Sequence, residues 1–190
     1  MSPLIIDYEV IYQCAKNNRK AQFKLYELLL NTLMNIATRY KTNNEDAVAL
    51  VNEGFLKILN NIGKYKKEVP FEAWIKRIMI NTAIDDFRKN HKTKEMFCAI
   101  EDKAIEYLEA FDSNLVEESI NTAFLESLLD SLSAEKKVVF NLSVIDGLSH
   151  KEIGEKLNIS ERTSKRYLAS AKSTLQKKYQ ESNNSTIEIN

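Results

Sequence analysis

Residues Gly147 to Thr163, Gly-Leu-Ser-His-Lys-Glu-Ile-Gly-Glu-Lys-Leu-Asn-Ile-Ser-Glu-Arg-Thr, hold two helix starts separated by a sharp corner. Ser149 is placed to cap a helix, and Glu152 three residues on completes a capping box. Ile153 and Leu157 give that short helix one apolar face. Asn158 ends it, since Asn tolerates the left-handed conformation of a helix C-terminus. Ser160 caps the next helix, whose expected inward row is Thr163 or Ser164, Leu168, Ala171 and Leu175. A short capped helix, a tight turn and a longer basic helix predict a helix-turn-helix.

The second of these helices carries Arg162, Lys165 and Arg166 in its first two turns, the end that a recognition helix presents to base edges. Lys172, Lys177 and Lys178 follow, where phosphate contacts are expected. Net charge is zero, which taken alone disfavours a nucleic-acid partner, yet the charges are segregated. From Met96 to Asp130 stand Glu101, Asp102, Glu106, Glu109, Asp112, Glu117, Glu118, Glu126 and Asp130 against Lys103 alone. From Lys57 to Lys94 ten bases face only Glu68, Glu72, Asp85 and Asp86. Two basic blocks flank an acidic middle, and local sign governs contact with DNA.

Four glycines and two prolines in 190 residues argue against a turn-rich β fold, and helical periodicity predicts an all-α chain. Two small helical domains joined by an acidic linker are expected: 1–94, a linker over 95–114, a helix-turn-helix domain over 115–180, and a disordered tail over 181–190. Cys14 and Cys98 are far apart in sequence, so reduced thiols in a cytoplasmic setting are expected rather than a disulfide. No apolar run approaches membrane-spanning length, so no membrane insertion is expected.

Along the chain, a first helix over 7–16 turns Val10, Ile11 and Cys14 inward. A second over 20–40 is expected to bury Phe23, Tyr26 or Glu27, Leu30, Leu33 or Met34, Ala37 and Tyr40. Thr42-Asn43-Asn44 breaks it. A third over 46–61 places Val48, Val51, Phe55, Ile58, Leu59 and Ile62 on one stripe, with Asn52, Glu53 and Leu56 outside it. Gly63 to Val69 is a basic loop containing Tyr65, and Pro70 opens a helix to about Asn90. Phe71, Trp74, Ile75, Ile78 and Thr82 form its expected buried row, while Arg77, Asn81, Asp85 and Arg88 share another face. Tyr65 among Lys64, Lys66 and Lys67 suits a single-stranded nucleic acid, because any base stacks on a ring. Further helices are expected over 115–132 and from Ser133 through Val144, with Val138, Val139 and Leu142 inward.

With both basic blocks in view, the chain resembles a sigma-70 family factor of the small extracytoplasmic-function (ECF) type. The match over Lys137-Val138-Val139-Phe140-Asn141-Leu142, Asp146 to Ile153 and Ile159 to Thr163 resembles the family's fourth region, which reads the promoter −35 element. Asp46-Ala47, then Leu50 to Ile58, is similar to the helix that grips the polymerase clamp. Phe71 to Ile78 and Asn81 to Lys89 are similar to the helix behind −10 recognition and strand opening. The resemblance implies a promoter-recognition subunit with core RNA polymerase and promoter DNA as partners, and room for an anti-sigma protein. It implies −35 contacts from Ser160, Glu161, Arg162, Thr163, Lys165, Arg166 and Lys172. Lys64, Tyr65, Lys66 and Lys67 would hold an extruded −10 base, with Arg77, Asn81 and Arg88 along the DNA. Asp46, Asn52, Glu53 and Leu56 would meet core polymerase. The family usually has an acid where Ala49 stands, Gln at Asn52, Val at Ser164 and commonly Arg at Ser170. The first two departures bear on the clamp contact; the last two lead to an expected recognition helix that is less firmly seated and makes one fewer phosphate contact.

A receiver-type helix-turn-helix regulator would need an α/β half with a phosphorylatable Asp, and no such strand run exists in the sequence. For an enzyme there is no Gly-rich phosphate loop, His-Glu-x-x-His, Cys-x-x-Cys or Ser-His-Asp set. His91 and His150 are expected at exposed polar positions. Asp85 and Asp86 are adjacent on a helix and diverge, so they do not make a metal pair. No cofactor, no metal and no catalysis are expected; the other reading is a non-sigma helix-turn-helix regulator.

Overall fold

A computed structural model describes residues 6–91 and 127–187. Every regular element among them is helical, and the chain divides into two compact units, Met1–Thr93 and Lys94–Asn190.

The first unit contains α1 (Tyr8–Ala15), α2 (Arg19–Tyr40), α3 (Asn44–Asn61), a 3₁₀ turn (Ile62–Lys64) and α4 (Phe71–His91). Short polar side chains set the helix starts. Asp7 accepts the Glu9 N–H at 2.9 Å, and Asn18 accepts the N–H groups of Lys20 and Ala21. Asn43, in the expected break, accepts the Asp46 N–H at 2.7 Å. α2 packs on α1, α3 and α4, and α3 packs on α4.

The core rows differ from the expected ones by a rotation. α2 buries Leu25, Leu29, Leu33, Ile36 and Ala37, while Phe23 is 65% exposed. α2 carries two overlapping rows at helical spacing. The compact aliphatic one interdigitates between three neighbouring helices, where each fully buried Leu contributes about 1.5–3 kcal/mol. Tyr26 is left half-buried, its ring edge-on to Phe55 with centroids 4.9 Å apart.

α3 buries Ala47, Leu50, Val51, Gly54 and Ile58, and Val48 is 38% exposed. The inner face centres on Gly54, a position without a side chain, which a search for apolar residues cannot weigh. α4 fills that space with Met79: a Cβ on Gly54 would lie 2.1 Å from its Sδ. Accordingly α4 buries Phe71, Ile75, Met79, Thr82, Ala83 and Ile84, and the expected Trp74 and Ile78 are only half-buried.

In the second unit residues 127–130 are helical, followed by α5 (Ala134–Phe140), a π turn (Asn141–Ile145), α6 (His150–Leu157) and α7 (Glu161–Ile187). α7 packs on both α5 and α6. Val138, Val139 and Leu142 are buried as expected, with Leu128 and Leu132. Ser133 occupies the cap position of α5 without a side-chain cap bond. Lys137 is buried, its Nζ 2.7 Å from Asp130. Residues 181–187, expected as a disordered tail, continue α7, because Ser182-Asn-Asn-Ser-Thr contains neither Gly nor Pro to stop it. The linker 95–114 and most of the helix expected over 115–132 lie outside the described residues, as do Lys92, Lys94 and 188–190.

Candidate nucleic-acid and polymerase interfaces

The corner between α6 and α7 is built as its sequence requires. Ser149 Oγ accepts the Glu152 N–H, and the Glu152 carboxylate accepts the Ser149 N–H at 2.8 Å, closing the capping box. The Ser149 hydroxyl, donating to the same carboxylate at 2.7 Å, and then the Ser149 N–H hold the Glu152 carboxyl below its ordinary value. Asn158 stands at φ 58°, ψ 46°, and the Ile159 N–H donates to Gly154 O at 3.0 Å. Just upstream, Gly147 adopts φ 71°, where a side chain would be strained. Ser160 accepts the Thr163 N–H at 2.9 Å and caps α7.

On α7, Ser160, Glu161, Arg162 and Lys165 are exposed at the N-terminal end, with Lys165 Nζ 2.7 Å from Glu161. Thr163 is half-buried, its hydroxyl 2.8 Å from that of Ser160. Arg166 is half-buried and its Nε is enclosed without a hydrogen-bond partner, so its stem lies along the protein. Lys172 is half-buried further along the helix. The buried row is Ser164, Tyr167 and Ala171, with Leu168 and Leu175 only partly covered.

His150, expected to be exposed, is half-buried, and its Nδ1 lies 2.9 Å from Ser164 Oγ. Burial lowers its pKa first, and Lys165 and Lys172 add to that against Glu161. The pair spans two helices fourteen residues apart, so no local pattern marks it. The only signal was Ser164 itself, a polar residue on the inward row. Its hydroxyl gives α7 an anchor on α6 where the expected Val would have had packing alone.

On α3, Asp46, Ala49, Asn52 and Leu56 are exposed at spacings of three, three and four, which puts them on one side of the helix. Leu56 is 57% exposed. The Tyr26 hydroxyl donates to Asn52 Oδ1 at 3.3 Å. Glu53, at the edge of that face, takes Lys57 at 3.2 Å and Lys89 at 3.6 Å, and Lys57 also reaches Asp85 at 3.1 Å. Burial opposes the Lys57 charge, but Asp85 and Glu53 outweigh it and raise its pKa.

Arg77, Asn81, Asp85 and Arg88 are all exposed along α4. In the loop before it, Lys64, Lys66 and Lys67 are exposed, while Tyr65 is half-buried. Its ring meets Phe71 edge-on at 5.0 Å and Trp74 at 5.4 Å, and its hydroxyl donates to Val69 O at 2.8 Å. The structure therefore brings Tyr65, Phe71 and Trp74 together as one aromatic cluster at the basic loop.

Comparison with known proteins matches both units. The family model for sigma-70 region 2 covers residues 25–93, and that for sigma-70 region 4 covers residues 125–175. The chain belongs to the sigma-70 family. Among its relatives, the RNA polymerase sigma factor SigV of Bacillus subtilis is 29% identical over 63% of this chain and 68% of its own. The ECF sigma factor SigE of Mycolicibacterium smegmatis is 32% identical over 65% of this chain and 48% of its own length, so the match spans about half of that relative. The ferric citrate uptake sigma factor FecI of Escherichia coli is 30% identical over 70% of this chain and 76% of its own. This sigma factor is of the ECF type, a promoter-recognition subunit that binds core RNA polymerase and promoter DNA. No helix among the described residues is long and apolar enough to cross a membrane.

Proposed function

We propose that the two units divide promoter recognition between them, and that this sigma factor acts in the cytoplasm by binding alone, adding no catalytic step. In the second unit Arg162 and Lys165 read −35 base edges, helped by Ser160, Glu161 and Thr163, while Lys172 meets phosphate. Arg166 contributes through its half-buried stem, so its guanidinium reaches the groove from a fixed base. In the first unit Asp46, Asn52, Glu53 and Leu56 form the polymerase face. Lys64, Lys66 and Lys67 surround a site for an extruded −10 base at the aromatic cluster of Tyr65. Arg77, Asn81 and Arg88 follow the DNA backbone.

The exposed cationic N-terminal end of a well-capped α7 carries the −35 assignment, because that end of a recognition helix enters the major groove. The domain limits proposed with it are 1–94 and 115–187, the last set by the end of α7. Co-purification with core polymerase, followed by run-off transcription on genomic fragments, tests the whole reading. Specific start sites that disappear with Leu56→Asp, through loss of core binding, support it. Binding to promoter fragments without polymerase, and no run-off product, would instead mark a free-standing regulator.

A further inference from the structure

We propose that the outward face of α1 is a second stacking platform for single-stranded DNA, carried by Tyr8 and Tyr12. The inference rests on the assignment of the Lys64–Lys67 loop to the opened −10 strand. α1 is amphipathic, and its inner face is complete with Val10, Ile11 and Cys14. Tyr8 and Tyr12 lie one turn apart on the other side, 47% and 46% exposed, and that exposure is not needed for packing.

Each ring has an ammonium group over it. Lys67 Nζ lies 3.5 Å from the Tyr8 centroid, and Lys16 Nζ lies 5.6 Å from that of Tyr12. Lys67 belongs to the basic loop, and α1 packs on the 3₁₀ turn that starts it, so the two surfaces are continuous. Both acids flanking Tyr8 are engaged within the helix: Asp7 accepts the Glu9 N–H at 2.9 Å, and Glu9 accepts the Gln13 amide at 2.7 Å.

Rings interleaved with lysines suit a partner with flat apolar faces and a charged backbone. Residues four apart on a helix are displaced by roughly 6 Å along its axis. That exceeds the roughly 3.4 Å per nucleotide of a stacked strand in duplex DNA, so the spacing fits an unstacked single strand rather than a helix. A strand leaving the −10 pocket would lay successive bases on Tyr8 and Tyr12 as Lys67 and Lys16 swing from the ring faces to its phosphates.

The test uses holoenzyme reconstituted with core polymerase, and labelled single-stranded −10 oligonucleotides, either minimal or extended by about six nucleotides at either end. A stacked base strengthens binding by roughly 5- to 150-fold. Tyr8→Ala/Tyr12→Ala should therefore remove about tenfold or more of the advantage that one extension confers, and leave the minimal oligonucleotide bound as before. Tyr8→Phe/Tyr12→Phe should keep the advantage, since the ring and not the hydroxyl stacks. An advantage that survives the alanine pair overturns the inference, as does an alanine effect confined to core-polymerase affinity, which would make the face a polymerase contact. Lys64→Ala/Lys66→Ala separates the two readings. If that pair leaves the minimal oligonucleotide unaffected, the loop assignment fails, whereas the α1 platform is judged on the extension alone.

Discussion

Ser164 and His150 show how one side chain changes meaning once its neighbour is known. A buried hydroxyl in place of Val predicts a loose helix, but paired with an imidazole it becomes a link between α6 and α7. Ser164→Val and His150→Ala should each destabilise the second unit, with a coupling of about 1 kcal/mol in a double-mutant cycle by urea unfolding. Acid sensitivity follows from the lowered His150 pKa. The unfolded imidazole, near about 6.5, binds protons more readily than the native one. Stability from the neutral pair is thus present above that value and is lost as pH falls below it, toward the lower native pKa. An NMR titration should place His150 below the ordinary histidine value; an ordinary or raised value contradicts the pairing. At the same scale, the bases of α7 should fail in two ways. Arg162→Ala should relax preference at particular −35 positions, by about 1–3 kcal/mol per lost bidentate contact. Lys172→Ala should weaken all promoters alike and reduce the salt slope by about one unit. Transcription from a randomised −35 library distinguishes them, and unchanged base selection with Arg162→Ala would remove it from the reading set.

Between elements, the α3–α4 contact is set by Gly54 and Met79, which meet where a Cβ would overlap the thioether. The same helix turns its opposite side, with Asn52 and Leu56, outward. Gly54→Val should push α4 away and cost about 1–3 kcal/mol by overpacking. Adding Met79→Ala should return part of that loss by vacating the space, as read from thermal melts followed by Trp74 fluorescence. Additive losses would mean that the two residues do not share one volume. Ser149 and Glu152, by contrast, stabilise their helix start locally, and such devices are visible in any stretch of sequence.

At the scale of the whole molecule, zero net charge conceals basic faces and an acidic stretch. Asp130 no longer counts with that stretch, since it neutralises buried Lys137 within its own unit. In charge alone the acids from Glu101 to Glu118 complement the basic blocks, so masking of those blocks in the free sigma factor is a testable expectation. Replacing them by Gln and Asn in the full chain should tighten its binding to single-stranded promoter DNA, measured by anisotropy at matched salt. Equal affinity would rule out such masking.

Most helices, the Ser149 and Ser160 caps, the Asn158 corner and the outward faces of α3 and α4 were legible in the sequence, because each depends on residues within one or two turns of one another. Which row of α2 turned inward was not, because Leu25-Leu29-Leu33 and Phe23-Tyr26-Leu30 have the same period and only the three helices around α2 choose between them. The centre of α3 was hidden because Gly54 is recognised by what approaches it. Tyr65 read as a lone loop aromatic until Phe71 and Trp74 closed on it, and His150 as a surface histidine until Ser164 came within 2.9 Å. Periodicity and capping are properties of a chain segment; burial, pairing and pKa belong to surfaces that meet only when the chain has folded.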